Sequence, residues 1–275
     1  MSGFLQRFIT ALLFAAVMLT GIWWGNFLFL ALFTLIAGLA SLELLNLLLP
    51  VGQPGYFWRK PLGIVLGLAP HLYQSLCLLA GLAPNWTAAF LAAMLILSGL
   101  FILELFAAAP RPFDNVARLA LVIAYIGLPI ALLDWIAFRG GSYDLTLPLG
   151  LLLLTWISDT AAYLVGSRFG RRLLFPRISP KKTWEGTVGG GLLTIGLSLL
   201  FAELLGELSS GQWAVLALLV VIFGSLGDLV ESMLKRSRGV KDSGTLLPGH
   251  GGVLDRFDAF IFLLPWAAAY LWWIG

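Results

Sequence analysis

The chain has 275 residues, of which 60% are hydrophobic and 11% charged, and its mean hydropathy is +0.94. A soluble domain carries roughly 25% charged residues, so this composition excludes an ordinary soluble protein and points to an integral membrane protein. Its 17 Lys and Arg against 14 Asp and Glu leave a net charge of +3. Loops that face anionic lipid account for such an excess, so no nucleic acid is expected as a partner, and a lone Cys77 excludes a disulfide framework.

About 20 apolar residues are needed to cross the hydrocarbon core. That ruler predicts helices over 8–24, 27–49, 62–82, 87–108, 116–138, 146–166, 187–206, 212–234 and 259–274. The fold class expected is therefore an all-α polytopic membrane protein with about nine transmembrane helices. The first span is read as a retained helix, because Trp23 and Trp24 follow it instead of a small-residue cleavage site and a second full-length span comes next. Pro, Gly and Asn punctuate the connections, and Trp23, Trp24, Trp58, Trp86, Trp272 and Trp273 gather at span ends, where an amphipathic ring prefers the interface.

Basic residues test the count independently, since cytoplasmic loops collect them. With the N-terminus cytoplasmic, Arg7, Arg59, Lys60, Arg111, Arg118, the cations of 168–182 and those of 235–256 all fall inside, and only Arg139 falls outside, a division of 16 to 1. The C-terminus is then extracytoplasmic. No long linker interrupts the pattern, so 1–275 is read as a single membrane domain. Its N-terminal helices cover 1–145, and a site-bearing part over 146–275 contains the cytoplasmic loops 167–186 and 235–258.

Those loops hold 11 of the 17 cations. In the first, Ser179-Pro180-Lys181-Lys182-Thr183-Trp184-Glu185-Gly186 precedes a glycine-rich helix start (Gly186, Gly189, Gly190, Gly191), an arrangement that offers phosphate oxygens lysines, hydroxyl donors and helix-terminal N–H groups together. The residues Ser232–Asp258, around the second, put 8 of the chain's 31 charges into 27 positions. Five are cations (Lys235, Arg236, Arg238, Lys241, Arg256) and three are carboxylates (Asp242, Asp255, Asp258), beside His250 and the pair Gly251-Gly252. Cations suit phosphate, clustered carboxylates suit a hard divalent cation, and glycines let backbone approach both.

The helix that enters this segment carries Asp228, Glu231, Ser232 and Lys235 at i, i+3, i+4 and i+7, one polar face running into the membrane. An intramembrane acid is costly, which makes Asp228 a functional candidate; the alternative is an internal ion pair with Lys235. Asp255 and Asp258 are three apart and share a face if the last helix begins there, so that with Asp228 they supply a metal site. Asp159 is a further acid inside a span. Glu43, Glu104 and Asp134 lie in apolar runs and are read as interhelical hydrogen-bonding or snorkelling groups, His71 as a satisfied interface histidine, and Glu203 and Glu207 as solvated ends.

Ser232-Met233-Leu234-Lys235-Arg236, Lys241-Asp242, Leu247-Pro248-Gly249-His250-Gly251-Gly252 and Asp255-Arg256-Phe257-Asp258 together resemble the signature of phosphatidate cytidylyltransferases, also called CDP-diacylglycerol synthases. Ser158-Asp159-Thr160-Ala161-Ala162-Tyr163 with Gly166 and Gly170, and Ser179 to Thr183 with Glu185-Gly186, are similar to the same family. The resemblance covers about 155–260. It implies conversion of CTP and phosphatidate to CDP-diacylglycerol and pyrophosphate in a bacterial-type inner membrane, with Mg²⁺ required, in some members a potassium ion beside it, and a homodimer as the assembly. It implies Asp228, Asp255 and Asp258 as metal ligands, with Lys235 and Arg236 as catalytic partners. Ser179, Lys181, Lys182, Thr183, Lys241, His250, Gly251, Gly252 and Arg256 are implied as substrate-binding residues. A CDP-alcohol phosphotransferase is disfavoured by the missing Asp-Gly-x-x-Ala-Arg string, a P-loop enzyme by the missing Gly-x-x-x-x-Gly-Lys-Ser/Thr loop. A transporter is disfavoured because its acids would lie at midplane within an internal repeat.

Overall fold

The computed structural model describes residues 3–49, 52, 55–247, 249 and 251–275. Its helices are α1 (Gly3–Trp23), α2 (Asn26–Leu48), α3 (Tyr56–Leu79), α4 (Trp86–Ala107), α5 (Pro112–Ala137) and α6 (Thr146–Phe169), then α7 (Trp184–Ser198), the short α8 (Phe201–Leu204), α9 (Ser210–Ser237) and α10 (Leu254–Trp273). A two-stranded antiparallel hairpin, β1 (Leu173–Phe175) and β2 (Ser179–Thr183), joins α6 to α7, with Leu173 opposite Thr183 and Phe175 opposite Ser179.

Helices stand at all nine predicted positions. Among the described residues seven stretches are long and apolar enough to cross a membrane, namely α2 to α6, Trp184–Leu204 and α9, so the chain is a multi-pass membrane protein. Within α1 the apolar run is the shorter Phe8–Trp23, and α10, whose first five residues include Asp255, Arg256 and Asp258, is not among the seven. Where hydrocarbon is the solvent, apolar side chains need no interior. α4 accordingly buries only Leu100 and Glu104, and leaves Phe90, Leu95, Leu105 and Phe106 exposed.

Packing gathers the chain into two compact units, one of residues 1–29 and 135–275, the other of 30–134. In the second unit, several polar groups stranded among helices pair with one another, which lowers the cost of burying them. Arg59 Nε and Nη2 donate to Glu104 at 2.5 and 2.8 Å, and Asn115 Nδ2 donates to the same carboxylate at 3.0 Å. His71 is fully buried, with Nδ1 2.7 Å from Asp134 and Nε2 2.8 Å from Thr34 Oγ1. The sequence reading placed Arg59 in a loop; the helix starts at Tyr56, carries Pro61 inside it, and buries Arg59 against Glu104. Gly127, within a π-helical stretch of α5, abuts Gly67 O, a contact that leaves no room for a side chain.

The first unit holds the polar loops. α6 and α7 lie backbone to backbone, because Gly186 and Gly190 face Ala162 and Gly166 with no space for a Cβ. Gly186 and Gly190 thus supply the missing Cβ that lets the two helices touch. The hairpin is tied to α7 by Thr183, whose Oγ1 caps the helix by accepting from Gly186 N at 3.1 Å, and by Glu185, which accepts from Arg171 N and Arg172 N at 3.0 and 3.1 Å. α9 starts in a capping box made by Ser209 and Gln212, widens to a π-helical stretch at Val220–Gly224, and is held to α10 there by Phe223 stacked on Trp266 at 3.9 Å. α1 is clasped by Phe14, which packs at 6.3 Å on Trp156 of α6 and edge-on at 5.7 Å on Phe257 of α10. Its far end is held by Tyr143, whose hydroxyl donates to Ile22 O.

Candidate active site

α9 and α10 cross at Gly227, where a Cβ would lie 2.6 Å from Phe262 Cβ and 2.8 Å from Asp258 O, so a side chain would force the helices apart. Beside the crossing, Asp228 and Glu231 of α9 meet Asp258 of α10, with one carboxylate oxygen from each within 4.8 Å of the others. Glu231 and Asp258 are buried, and Asp228 is about one-third exposed at 33%. Three carboxylates this close repel one another unless cations compensate them.

Two lysines reach the cluster from different directions. Lys235, one turn beyond Glu231 and buried, donates from Nζ to Glu231 Oε2 and to Asp255 Oδ1, both at 2.5 Å. Lys182 comes from β2, 46 residues before its partner in the chain, to pair with Asp228 at 2.5 Å and to donate to Ser225 O at 3.2 Å. The ion pair considered from the sequence, Asp228 with Lys235, is thus replaced by Asp228 with Lys182. After these bonds Glu231 Oε1 is still buried and receives no hydrogen bond from an N–H or hydroxyl among the described residues, while the Glu231 carboxyl lies against that of Asp258.

Asp255 has a different setting. Besides Lys235, its Oδ2 accepts from Ser243 N at 2.9 Å and Gly252 N at 2.8 Å. Gly251, at φ 82°, folds over it, where a Cβ would stand 2.5 Å from Oδ2. Leu247 N closes the same turn by donating to Gly251 O at 2.9 Å. Asp255 therefore lies outside the carboxylate triplet and pins the loop before α10 to the buried Lys235.

Two adjoining cavities open here. The smaller, about 280 Å³, is lined by Asp159, Asp228, Lys235, Asp242, Asp255, Arg256, Asp258 and Ala259. The larger, about 430 Å³, shares Asp159, Asp255, Arg256 and Asp258 and extends along α1. Of the residues singled out in the sequence, the structure brings together Asp228, Lys235, Asp255, Asp258, Arg256, Gly251, Gly252 and Lys182. Ser179 and Thr183 serve the hairpin and the cap of α7. Arg236 donates to Val240 O at 3.0 Å, at the end of α9. Lys181 and Lys241 are exposed and, like Arg236, line neither cavity. His250 lies outside the described residues. Glu231, Asp159 and Asp242 are not among the site residues that the sequence implies. The stripe at i, i+3 and i+7 signals Glu231, and its placement inside a span signals Asp159.

A sequence model of the cytidylyltransferase family matches residues 5–274. The phosphatidate cytidylyltransferase of Bacillus subtilis (strain 168) is 44% identical over 156 residues, which cover 56% of this chain and 57% of that protein. Its counterpart of the same name in Staphylococcus epidermidis (strain ATCC 12228) is 43% identical over 155 residues, 56% of this chain and 58% of that protein. These matches span little more than half of each relative. The phosphatidate cytidylyltransferase of Staphylococcus haemolyticus (strain JCSC1435) is 36% identical over 269 residues, 95% of both chains. With a family match that runs over almost its whole length, the chain belongs to the cytidylyltransferase family.

Proposed function

We propose that this protein is a phosphatidate cytidylyltransferase, joining CTP and phosphatidate to give CDP-diacylglycerol and pyrophosphate at the cytoplasmic face of a bacterial inner membrane. The observation that carries the reading is the triplet Asp228, Glu231 and Asp258 beside Lys182 and Lys235, at the rim of a cavity that continues along an apolar helix. A polar site for phosphates and a hydrocarbon wall for a lipid stand side by side.

The smaller cavity is lined by five carboxylates, Asp159, Asp228, Asp242, Asp255 and Asp258, against Lys235 and Arg256. Alone, such a wall repels a triphosphate. Asp228, Glu231 and Asp258 fit a hard divalent cation: all offer carboxylate oxygens, they converge within 4.8 Å, and Glu231 Oε1 is buried with no N–H or hydroxyl donor among the described residues. Mg²⁺ held by them, with a second cation such as K⁺ beside it, would supply positive charge for phosphate oxygens, so that the carboxylate wall could accept an anion. Lys235 holds Glu231 in place, and Lys182 holds Asp228.

The reaction needs charge neutralisation and alignment more than proton transfer. A phosphatidate oxygen, already ionised near neutral pH, attacks the α-phosphorus of CTP in line; the new P–O bond forms as the bond to pyrophosphate breaks. Lys182, Lys235 and Arg256 are the cations placed to neutralise the two anions and the leaving group. Nine spans, a cytoplasmic N-terminus and an extracytoplasmic C-terminus put both polar loops on the side where CTP is found, and a homodimer is the assembly inferred from the family resemblance.

The test is the full-length protein in detergent–lipid micelles with CTP, phosphatidate and Mg²⁺, scored for pyrophosphate and CDP-lipid. Stoichiometric formation of both, dependent on phosphatidate, is expected. Pyrophosphate release that ignores phosphatidate, or none at all, refutes the reading.

A further inference from the structure

The larger cavity has two chemically different ends. At one end stand Asp159, Asp255, Arg256 and Asp258, shared with the carboxylate site. At the other, α1 contributes Ala11, Phe14 and Ala15, with one hydroxyl from Thr10, beside Trp156 of α6. Ala11 and Ala15 are one helical turn apart on one face, and their small side chains leave the groove open. Phe14, which lines it, packs on Trp156 and Phe257. A space that is ionic at one end and lined with alanine and aromatic rings at the other suits a single molecule with an anionic head and a hydrocarbon tail.

We infer that α1 is the acyl-chain wall of the site: Ala11, Phe14 and Ala15, with Trp156, hold the part of one phosphatidate acyl chain next to the glycerol ester while the phosphate lies by Arg256. This rests on the proposed function and adds the residues that determine lipid specificity. An acyl chain leaves hydrocarbon for hydrocarbon on entering such a groove, so little hydrophobic free energy is gained by the transfer. The groove therefore acts by shape. It positions the phosphate by holding its tail, and a bulkier wall excludes the chain.

Ala11→Phe and Ala15→Phe in the full-length protein test this, with CTP saturating and pyrophosphate release followed on two lipids. One is dioleoyl-phosphatidate; the other is dibutyryl-phosphatidate, whose chains offer little hydrocarbon to the groove. The expected result is a fall of kcat/KM for the dioleoyl lipid by ~10-fold or more, about 1.4 kcal/mol, with the dibutyryl lipid and the KM for CTP unchanged. Equal losses on both lipids, or no loss on either, would overturn the inference. Photolabelling of the wild-type protein decides the matter where a variant does not fold. A phosphatidate with a diazirine near one ester is expected to mark residues 10–15, and unlabelled phosphatidate is expected to compete. Adducts confined to other helices, or equal competition by phosphatidylcholine, would mean that α1 is ordinary lipid-facing surface. If wild-type protein makes no CDP-lipid, the proposed function fails, and the photolabelling still decides the groove.

Discussion

Glu231→Gln separates a cation site from a self-contained ion-pair network, because it removes one charge while keeping shape. With all three carboxylates ionised and an effective dielectric constant of about 20, unit charges 4.8 Å apart repel by about 3.5 kcal/mol. Glu231 has two such neighbours, Asp228 and Asp258, for a total of about 7 kcal/mol. Its attraction to Lys235 across 2.5 Å is also about 7 kcal/mol on that scale. The two nearly cancel, and the amide keeps a neutral hydrogen bond to Lys235. In EDTA the melting temperature of the variant in detergent should therefore stay close to that of the wild type. With Mg²⁺ the two should part. A cation at a hundred times its dissociation constant stabilises the wild type by about 2.7 kcal/mol. Loss of an anionic ligand should weaken binding by at least the ~10–100-fold that loss of a supporting group costs. Thermal unfolding with and without Mg²⁺, together with pyrophosphate release at limiting Mg²⁺, measures both. A variant that keeps the full Mg²⁺-dependent stabilisation and full turnover would refute the triplet as a cation site.

Asp228→Asn removes another member of the triplet and the partner of Lys182, so turnover should fall by at least ~100-fold while the protein elutes as a folded species on gel filtration. Lys235→Met leaves Glu231 and Asp255 without their shared cation. A loss of about 3–5 kcal/mol is expected for breaking a buried pair, read as a lowered melting temperature, with Lys235→Arg failing to restore it because a planar fork does not fit a point-charge site. Asp255→Asn should loosen the loop that Ser243 N and Gly252 N anchor to it, seen as faster protease cleavage between 238 and 252, with Mg²⁺ affinity kept. An unchanged digestion pattern with weakened Mg²⁺ binding would place Asp255 among the metal ligands. Arg172→Cys, made in a Cys77→Ala background, should resist an impermeant thiol reagent in intact cells while Gly275→Cys reacts; the reverse pattern would overturn the orientation.

Much of this site was legible because its signals are local. The bilayer's thickness sets the length of each apolar run, so helices stand where runs of that length stand, and three polar residues at i, i+3 and i+7 share a face whatever surrounds them. Choice of partner is not local. Lys182 finds Asp228 from 46 residues away, and Asp255 is claimed by a lysine and two amides that converge only once the loop folds. Nor can a glycine announce its purpose. Gly186 and Gly190 resemble an anion-binding helix start, yet what they supply is the missing Cβ that lets α6 and α7 touch.

α1 shows the limit most clearly. Its polar residues are few, Gln6, Arg7, Thr10 and Thr20, too few to mark one face as inward, and its place at the start of the chain suggests company with α2 and α3. The structure instead groups it with the C-terminal helices, through Phe14 between Trp156 and Phe257 and through Tyr143 on Ile22 O. Two of those contacts are aromatic pairs, each contributing about 0.5–1.5 kcal/mol beyond the area they cover, and sequence separation does not weaken them. A span read from sequence only as a retained helix thereby becomes a wall of the larger cavity. The charged segment near the C-terminus makes the polar end of that cavity, but without α1 its other end would have no side.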